Sequence, residues 1–346
     1  MLKKVNALLL VVGMAFMMSI GVSWAQEEMP PPPGETVIAE LGAPRGLAFD
    51  SDGNLYIADA GVGGDFEVMT MGPEGEAMAA MGMSGEIVTI APDGTVGAFL
   101  SGLPSMAMPG ETLGLYRAIP QGDSVWVVTS GSGPATTGAY WGNNIVELDA
   151  ETLAVKNIIN LEAFETANDP DESGYDSNVA DIAWADDGTM YVVDAGGNSL
   201  MTWTEADGLQ LVTAWGNDVP TSVEVADNGD VYVGFLGEAI APGAGKIEVW
   251  SGGELVETFG GLTGVTDILL DGDTLYAVQL FEFTEQGPGP GSVVTVSADG
   301  IEIVAGGLLA PFGLAMSPDG DLYVSWGTLA FAPGMTGGVQ RLSMGE

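Results

Sequence analysis

An Asp-Gly turn followed by an apolar strand with a central aromatic residue recurs six times in the 346-residue sequence, which predicts an all-β fold, a six-bladed β-propeller. The aromatics lie 41 to 70 residues apart, and three of the five spacings are near the length of one propeller blade, about 40 to 50 residues. The last copy runs out after its third strand, while an unmatched strand precedes the first copy. We therefore expect four-stranded blades and a ring closed by an N-terminal strand added to the last blade.

The six copies share the turn, the apolar strand and the aromatic residue. They are DGNLYIADAG around Tyr56, GDSVWVVTSG around Trp126, DDGTMYVVDAG around Tyr191, DNGDVYVGFLG around Tyr232, DGDTLYAVQL around Tyr276 and DGDLYVSWG around Tyr323. In the first copy we predict strands over 46–49, 55–59, 86–90 and 95–100. The aromatic strands are apolar on both faces, as expected for sheets that are packed on both sides.

Segment 36–41 is the predicted closing strand. It would complete the last blade, whose third strand lies near 338–342. The residues that follow agree with this, because 41–48 (LGAPRGLA) is similar to 309–315 (LAPFGLA). A ring closed in this way hides the strand edges that would otherwise invite aggregation, so we also expect a monomer.

Export is indicated at the N-terminus. Lys3 and Lys4 form a basic start, 7–22 is an apolar run, and 23–25 (Ser-Trp-Ala) offers small residues for cleavage. The alternative is an uncleaved anchor, but a membrane span takes about 20 residues. We expect a signal peptide over 1–25 and an exported protein, periplasmic or extracellular, with no membrane insertion after cleavage.

The remaining chain divides into two parts. Residues 26–35 include four consecutive prolines and predict an extended linker. Residues 36–346 hold all six copies and predict one propeller domain.

The chain is strongly acidic, with 48 Asp and Glu against 7 Lys and Arg and a formal net charge of -41 at pH 7. Binding to a phosphate backbone depends on Lys and Arg, so this charge excludes nucleic acid as a partner. The sequence contains neither His nor Cys, which excludes a Ser-His-Asp triad, a thiolate nucleophile and a zinc site built from His or Cys. An enzyme of this composition would depend on carboxylates, hydroxyls or a bound metal.

Six segments carry a family resemblance. In chain order they are 44–49 (PRGLAF), DGNLYIADAG, 168–178 (NDPDESGYDSN), 194–200 (DAGGNSL), 219–225 (VPTSVEV) and 231–237 (VYVGFLG). Together they resemble the ScyD/ScyE family, exported NHL-type propellers named for proteins associated with making the pigment scytonemin. The resemblance covers nearly the whole mature chain and implies the fold and export, but no common activity. The sequence departs from the family at 115–117 (Leu-Tyr-Arg), where a Pro-His-Asp-like element is expected.

A ring of residues at the mouth of the central tunnel is the first candidate site. The innermost strand of each blade starts at the tunnel, and counting back 9 to 11 residues from each aromatic gives Arg45, Arg117, Asp181, Ser222, Asp267 and Phe312. One interpretation is a polar mouth that binds a small ligand carrying a carboxylate, or a cation. The alternative is that the arginines pair with the aspartates or their neighbours, because buried charges need partners.

The loop 169–178 is a candidate calcium site. Its oxygens fall at alternate positions with Gly at the sixth, as in the first half of a calcium loop. The candidate ligands are Asp169, Asp171, Ser173, Asp176 and Asn178. The twelfth position is Ala180 instead of the usual Glu, so a solvated acidic loop is the alternative.

A weaker metal site is a tunnel-mouth set of the kind seen in propeller lactonases. Its ligands would be Asn178, Asp194, Asn198 and Asp267. No cofactor is certain from the sequence, and Ca²⁺ is the one that it suggests. The DAG segments at Asp59 and Asp194 are predicted to cap turns and strand ends, with ligand contact as the alternative.

The insertion 62–84 carries closely spaced methionines. They are Met69, Met71, Met78, Met81 and Met83. Thioethers bind Cu(I), so copper is one interpretation, and a flexible apolar loop covering one end of the ring is the other.

Three functions follow from these patterns. The leading hypothesis is a non-catalytic propeller that binds or scaffolds a small molecule or a protein partner through its tunnel mouth and insertions. The alternative is a divalent-metal-dependent hydrolase or lactonase, which requires a complete set of oxygen ligands and a base. A purely structural cell-surface protein is favoured if the ring residues all pair internally.

Overall fold

The computed structural model describes residues 32–72, 75–108, 110–131, 142–284, 287–329 and 335–342. The expected signal peptide and most of the expected linker lie outside these residues. Among the described residues, no helix is both long and apolar enough to cross a membrane.

Strand β1 (Glu35–Leu41) precedes six antiparallel sheets of four or more strands, which we call blades 1 to 6 in chain order, and a separate two-stranded hairpin is inserted in the fifth. Blade 1 contains β2 (Pro44–Phe49), β3 (Leu55–Asp59), β4 (Phe66–Gly72), β5 (Gly75–Ile90), β6 (Val96–Met108) and β7 (Glu111–Leu113). Blade 2 contains β8 (Leu115–Gln121), β9 (Ser124–Thr129), β10 (Asn144–Asp149) and β11 (Val155–Asn160). Blade 3 contains β12 (Val179–Trp184), β13 (Met190–Asp194), β14 (Ser199–Thr204) and β15 (Gly208–Ala214).

The second half of the chain continues this arrangement. Blade 4 contains β16 (Pro220–Val225), β17 (Val231–Phe235), β18 (Gly245–Ser251) and β19 (Glu254–Leu262). Blade 5 contains β20 (Val265–Asp271), β21 (Thr274–Gln279), the hairpin β22 (Glu282–Thr284) and β23 (Gly287–Gly289), β24 (Gly291–Ser297) and β25 (Gly300–Leu308). Blade 6 contains β26 (Leu314–Met316), β27 (Leu322–Trp326) and β28 (Gly337–Leu342). Helix α1 (Leu161–Asn168) lies between blades 2 and 3, and blade 4 includes the 3-10 turn Glu238–Ile240.

The N-terminal strand closes the ring. β1 pairs antiparallel with β28, with Glu35 opposite Arg341 and Leu41 opposite Gly337, and it completes blade 6 as its outermost strand. The innermost strands contact one another in the order β2, β8, β12, β16, β20 and β26, and β26 contacts β2. The predicted β-propeller fold and its displaced N-terminal strand are confirmed.

The core lies between neighbouring blades because the central strands are apolar on both faces. All six residues of β9 are buried, and Ile57 and Ala58 of β3 are fully enclosed. The recurring aromatics connect blades: the ring centroid of Trp126 in blade 2 lies 5.7 Å from that of Trp184 in blade 3. Such edge-to-face pairs add about 0.5 to 1.5 kcal/mol beyond the area that they bury.

The long connections collect on one face of the ring, which we call the insertion face. Strand direction alternates within a blade, so the start of each innermost strand and the connection from second to third strand lie at the same end. This end carries β4, helix α1 and the hairpin of blade 5, together with the tunnel mouth. The tight turns, such as the one at Asp93 and Gly94, lie on the opposite face.

The described residues of the insertion, 62–72 and 75–84, include the paired strands of a β-ribbon. β4 pairs with the first half of β5, and the extended β6 pairs with the other edge of β5. The backbone N–H and C=O groups of a long insertion need hydrogen-bond partners. The pairing of β5 with β4 and with β6 provides them.

Candidate functional site

Each innermost strand is irregular near its start, where it faces the tunnel. In blades 2 to 5 a β-bulge leaves one residue unpaired just before the ring residue, which itself pairs with the second residue after the central aromatic. The ring residues in these four blades are Arg117, Asp181, Ser222 and Asp267. A bulge changes the direction of nearby side chains, so these residues are set apart from the regular sheet.

The same rule places Gly46 and Gly313 in the ring of blades 1 and 6. Leu47 pairs with the residue that follows Tyr56, so Gly46 is the equivalent position in blade 1. In blade 6 the backbone N–H of Ser325 donates to the carbonyl of Gly313 at 3.0 Å. Two of the six ring positions therefore have no side chain.

The prediction of Arg45 and Phe312 as ring residues is off by one position. The turn between the first two strands has five residues in blades 1, 3, 4 and 6 and two in blades 2 and 5. The ring residue consequently lies ten or nine residues before the aromatic, whereas Arg45 and Phe312 lie eleven residues before theirs. Both precede the ring, on the side of the tunnel mouth.

Arg117 binds two carboxylates across the tunnel. Its Nη1 and Nη2 donate to Oδ2 and Oδ1 of Asp267 at 2.8 and 2.7 Å. On its other side Nη2 donates to Oδ2 of Asp181 at 3.1 Å, and Nε lies 2.9 Å from Oδ1. Guanidinium and carboxylate match as planar forks, and the pair with Asp267 is bidentate, whereas the pair with Asp181 has one hydrogen bond and the close contact of Nε. We call Arg117, Asp181 and Asp267 the tunnel network.

The two aspartates also connect neighbouring blades through the backbone. Asp181 accepts the N–H of Val223 in blade 4 at 3.1 Å, and Asp267 accepts the N–H of Leu314 in blade 6 at 2.8 Å. Both carboxylates thus have several donors and are held in place by the ring itself.

The missing side chain at Gly46 makes room for Arg117, and the one at Gly313 makes room for the backbone of blade 1. A Cβ on Gly46 would overlap Cδ of Arg117, and a Cβ on Gly313 would overlap the carbonyl oxygen of Arg45. All three members of the tunnel network are buried. The network therefore fills the tunnel at the level of the ring instead of lining an open channel.

Glu224 adds a third acid to the tunnel. It lies two residues beyond Ser222 on β16, and burial, together with Asp181 and Asp267, raises its pKa well above the usual value against the opposing effect of Arg117. Burial also raises the pKa of Asp181 to about 7, even though Arg117 acts to lower it. Near Arg117, burial and the neighbouring carboxylates thus raise the pKa of both Glu224 and Asp181.

Arg45 is enclosed at the tunnel mouth. Its guanidinium carbon lies 3.9 Å from the ring centroid of Tyr116 and 4.9 Å from that of Phe312. Its Nη2 donates to the carbonyl of Thr112 at 2.6 Å and lies 3.9 Å from Oε1 of Glu111. Burial raises the pKa of Glu111, and Arg45 partly offsets this. The arginine is buried, and its Nε has no hydrogen-bond partner among the described residues.

Every cation after the expected signal peptide is paired in this way. The five are Arg45, Arg117, Lys156, Lys246 and Arg341, each in an ion pair with at least one carboxylate. An anionic ligand would therefore have to break an existing pair, which disfavours a ligand bound through its own carboxylate.

Ser222 lies at the boundary of blades 4 and 5. It is buried, and its Oγ sits beside Gly234, near Val265 of the next blade. Its Oγ has no hydrogen-bond partner among the described residues.

Acidic side chains gather on the insertion face beside blade 3. Single carboxylate oxygens of Glu165, Asp169 and Asp171 lie within 4.8 Å of one another, and we call these three residues the rim cluster. Burial, reinforced by Asp194, Asp171 and Asp169, raises the pKa of Glu165 to about 8. Three carboxyls this close repel one another unless a proton or a cation compensates them.

Helix α1 positions the first two members of the cluster. The side chain of Asn160 caps its start by accepting the N–H of Ala163 at 2.6 Å. The helix ends at Asp169, which is left-handed at φ 43° and donates its N–H to the carbonyl of Glu165 at 2.8 Å. Asp169 follows the helix directly, and this left-handed cap leaves one of its carboxylate oxygens within 4.8 Å of one of Glu165.

Asn198 brings blade 3 into contact with the rim cluster. Its Nδ2 donates to Oδ2 of Asp171 at 2.7 Å. The residue is 1% exposed and left-handed at φ 44°. Its Oδ1 is buried with no hydrogen-bond partner among the described residues, and the same is true of Oε1 of Glu165.

Asp176 lies close to the cluster. Burial, with Asp194 and Asp171, raises its pKa to about 6. It adds negative charge next to the three cluster carboxyls.

Asp194 is a structural cap, as predicted for the DAG segments. It accepts the hydroxyl of Ser177 at 2.6 Å and the backbone N–H groups of Asn178, Gly196 and Gly197 at 2.7 to 3.1 Å. Burial nevertheless raises its pKa. With four donors it has little capacity left for a metal.

Asp59 plays the same part in blade 1. It accepts the N–H groups of Gly42, Ala43 and Gly61 at 2.7 to 2.9 Å. In both blades the aspartate ties the start of the innermost strand to the turn after the second strand.

Two other predicted calcium ligands make different contacts. Ser173 donates its backbone N–H to Oδ1 of Asp171 at 2.9 Å and so shapes the loop. Asn178 accepts the hydroxyl of Ser130 and lies next to Tyr116, on the tunnel side. The weaker set of Asn178, Asp194, Asn198 and Asp267 is therefore spread over three separate networks.

Glu165 was missed by the sequence reasoning. The calcium-loop pattern begins at Asp169 and includes only later residues, whereas Glu165 lies in the helix before it. The signal was present as a Glu four residues before an Asp, at the end of a segment with helical spacing.

The methionines of the ribbon do not converge. Met69 lies directly opposite Met78, whereas Met81 lies opposite Phe66 on one side and Met106 on the other. Met78 and Met81 are an odd number of residues apart in one strand, so they point to opposite faces. Met78 and Met81 therefore do not point to one copper site.

Comparison with known proteins places the chain among the β-propellers. No protein-family model matches it, and no curated protein matches it. Solved structures do, over most of its length. A calcium-binding regucalcin of Agrobacterium tumefaciens is 12% identical, with a TM-score of 0.57, covering 91% of this chain and 97% of its own.

Two further structures are similar to the same extent. A putative oxidoreductase (glucose dehydrogenase) of Thermus thermophilus is 15% identical, with a TM-score of 0.56, covering 90% of this chain and 100% of its own. A gluconolactonase of Xanthomonas campestris is 13% identical, with a TM-score of 0.55, covering 88% of each chain. At sequence identities this low, the similarity shows a shared fold and does not show a shared function.

Proposed function

We propose that the protein is an exported, non-catalytic β-propeller that binds a small molecule or a protein partner through its insertion face, with Ca²⁺ bound by the acidic residues of that face. The mature protein would act as a monomer in the periplasm or outside the cell. The segments that resemble the ScyD/ScyE family support membership of that family.

One observation carries this proposal: the tunnel network occupies the place where a propeller enzyme would hold its substrate. Arg117 uses its guanidinium on Asp181 and Asp267, and all three side chains are buried. The insertion face presents accessible groups, among them Asp169 of the rim cluster and the exposed apolar side chains of Phe66 and Met69 in the ribbon.

The charge pattern also limits the ligand. The cations of the mature chain are already paired, whereas unpaired carboxylates are abundant. A cationic ligand, or an acidic ligand bridged by Ca²⁺, fits this surface better than a free anion.

The second candidate is a divalent-metal-dependent hydrolase or lactonase. The names of the structural neighbours, which include a gluconolactonase and a streptogramin B lyase, favour this candidate over the first, although likeness at this identity extends only to the fold. Glu165, with its raised pKa beside other carboxylates, would be its base.

A panel of lactones and esters separates the two candidates. The mature protein is assayed with Ca²⁺, Mg²⁺ and Mn²⁺, against each metal alone. We expect no turnover above the metal controls, and Ca²⁺-dependent retention on isolated cell envelopes that EDTA reverses. Saturable hydrolysis that EDTA and Glu165→Gln abolish, but that the neighbouring Glu172→Gln leaves unchanged, would establish the hydrolase instead.

A further inference from the structure

We propose that Glu165, Asp169, Asp171 and Asn198 form a single Ca²⁺ site on the insertion face, with ligands from helix α1, the following loop and the turn between β13 and β14. This assignment deepens the proposed function, on which it rests for its purpose, because the cation would fix the surface that meets the ligand. It replaces the contiguous loop expected from the sequence with a site assembled from two parts of the chain.

The first support is geometric. Three carboxylates converge within 4.8 Å, and Glu165 is 2% exposed although it carries an ionisable group. A carboxylate is seldom buried without a partner. Oε1 of Glu165 has no hydrogen-bond partner among the described residues.

The second support is independent of the acids. Asn198 belongs to blade 3, is fully buried, and directs its amide at Asp171. The amide oxygen has no partner in the part of the chain that the structure describes. If the amide of Asn198 turns over, its oxygen takes the place of its nitrogen beside Asp171. A cation that neutralises Asp171 could then bind this oxygen as well.

Blade 1 provides an internal comparison. Its DAG turn has the same aspartate cap, at Asp59, but Gly63 stands where blade 3 has Asn198. Both residues are left-handed, at φ 73° and 44°. Glycine adopts this conformation freely, whereas Asn in blade 3 adopts it at some cost and buries its side chain. The turn conformation alone therefore does not require an asparagine at this position.

The turn is also shaped around Glu165. A Cβ on Gly197 would lie 2.7 Å from Oε2 of Glu165, so only glycine leaves the carboxylate where it is. Asp194, bonded to the N–H groups of Gly196 and Gly197, holds this turn rigid.

The donor set selects the cation. All four groups supply oxygen, and carboxylate, amide and water oxygens at a partly exposed site suit Ca²⁺, which takes 6 to 8 such ligands in flexible geometry. Mg²⁺ requires a near-ideal octahedron, and the soft metals prefer nitrogen or sulfur ligands.

Isothermal titration calorimetry of the mature chain with CaCl₂, after chelator treatment and in high NaCl, tests the site. We expect one saturable site that Mg²⁺ does not fill at equal concentration. Glu165→Gln should weaken Ca²⁺ binding at least tenfold. Gly197→Ala should weaken it as well, because the new methyl group displaces the carboxylate without removing its charge.

The matched control is Glu172→Gln. It removes one negative charge from the same loop, at an exposed residue outside the rim cluster, and should leave the affinity within twofold. Circular dichroism melts confirm that each variant is folded. No saturable heat in the wild type, or equal weakening by Glu172→Gln and Glu165→Gln, would overturn the site. This titration contains neither a partner nor a substrate, so a negative result would count against the Ca²⁺ site alone. The envelope and hydrolysis assays test the proposed function separately.

Discussion

Nη2 of Arg117 lies 2.7 Å from Oδ1 of Asp267, although the two residues are 150 positions apart and belong to blades 2 and 5, on opposite sides of the ring. A side chain that reaches the opposite blade must cross the tunnel axis. The pair therefore closes the tunnel, and with Asp181 it ties three blades together.

Replacing Arg117 should strongly destabilise the fold. Arg117→Met leaves Asp181 and Asp267 buried without their cation, and breaking a buried pair in this way costs about 3 to 5 kcal/mol. Urea unfolding measures the change. Arg341→Met is the control, because Arg341 pairs with Glu35 at the exposed surface, where a pair contributes about 0 to 1 kcal/mol. Equal losses for the two variants would contradict the tunnel network as described.

Removing the charge of Glu224 should stabilise the protein. Its pKa is raised in the folded state, so the unfolded chain gives up the proton first and stability falls as pH rises from the usual value of about 4.5 towards the folded pKa. Asp181, with a pKa of about 7, contributes in the same direction. Glu224→Gln should raise the melting temperature at pH 8 and flatten its decline between pH 5 and pH 8. A lower melting temperature throughout that range would show that the carboxylate is needed.

The absence of a side chain at Gly46 should be essential. Gly46→Ala places a methyl group against Cδ of Arg117 and the carbonyl of Tyr116, and overpacking of this kind costs about 1 to 3 kcal/mol. Gly260→Ala is the control, since a Cβ there meets nothing within 4 Å and φ is not positive. Denaturant unfolding of both variants makes the comparison, and a neutral Gly46→Ala would remove the packing argument.

Salt should stabilise the protein. With a formal net charge of -41, carboxylates repel one another over a Debye length of about 30 Å at 0.01 M salt, which shrinks to about 10 Å at 0.1 M. The melting temperature should rise steadily when NaCl is added in the presence of EDTA. A flat response would mean that the surface charges are already compensated.

Most of the fold could be predicted from the six sequence repeats. β3 matches the predicted strand 55–59, and β1 closes the ring as the displaced strand required, because both follow from patterns local to one copy. The ring residue of blade 1 was predicted one position too early, at Arg45 instead of Gly46. An error of one residue in counting cannot be detected until the strand pairing is known.

The rim cluster was only partly predictable. Asp169 and Asp171 are close in the chain, so the loop pattern indicated them. Glu165 and Asn198 reach the same place through a helical turn and through packing of blade 3 against the loop. Contacts made by folding leave no spacing signal in the sequence.

The most direct test of the account is the position of a bound cation. Crystals of the mature protein grown with CaCl₂, with data collected at a wavelength where calcium scatters anomalously, locate it without reference to activity. We predict a peak among Glu165, Asp169 and Asp171 and none in the tunnel. A peak between Asp181 and Asp267, or a rim cluster without one, would contradict the account and return the functional site to the tunnel.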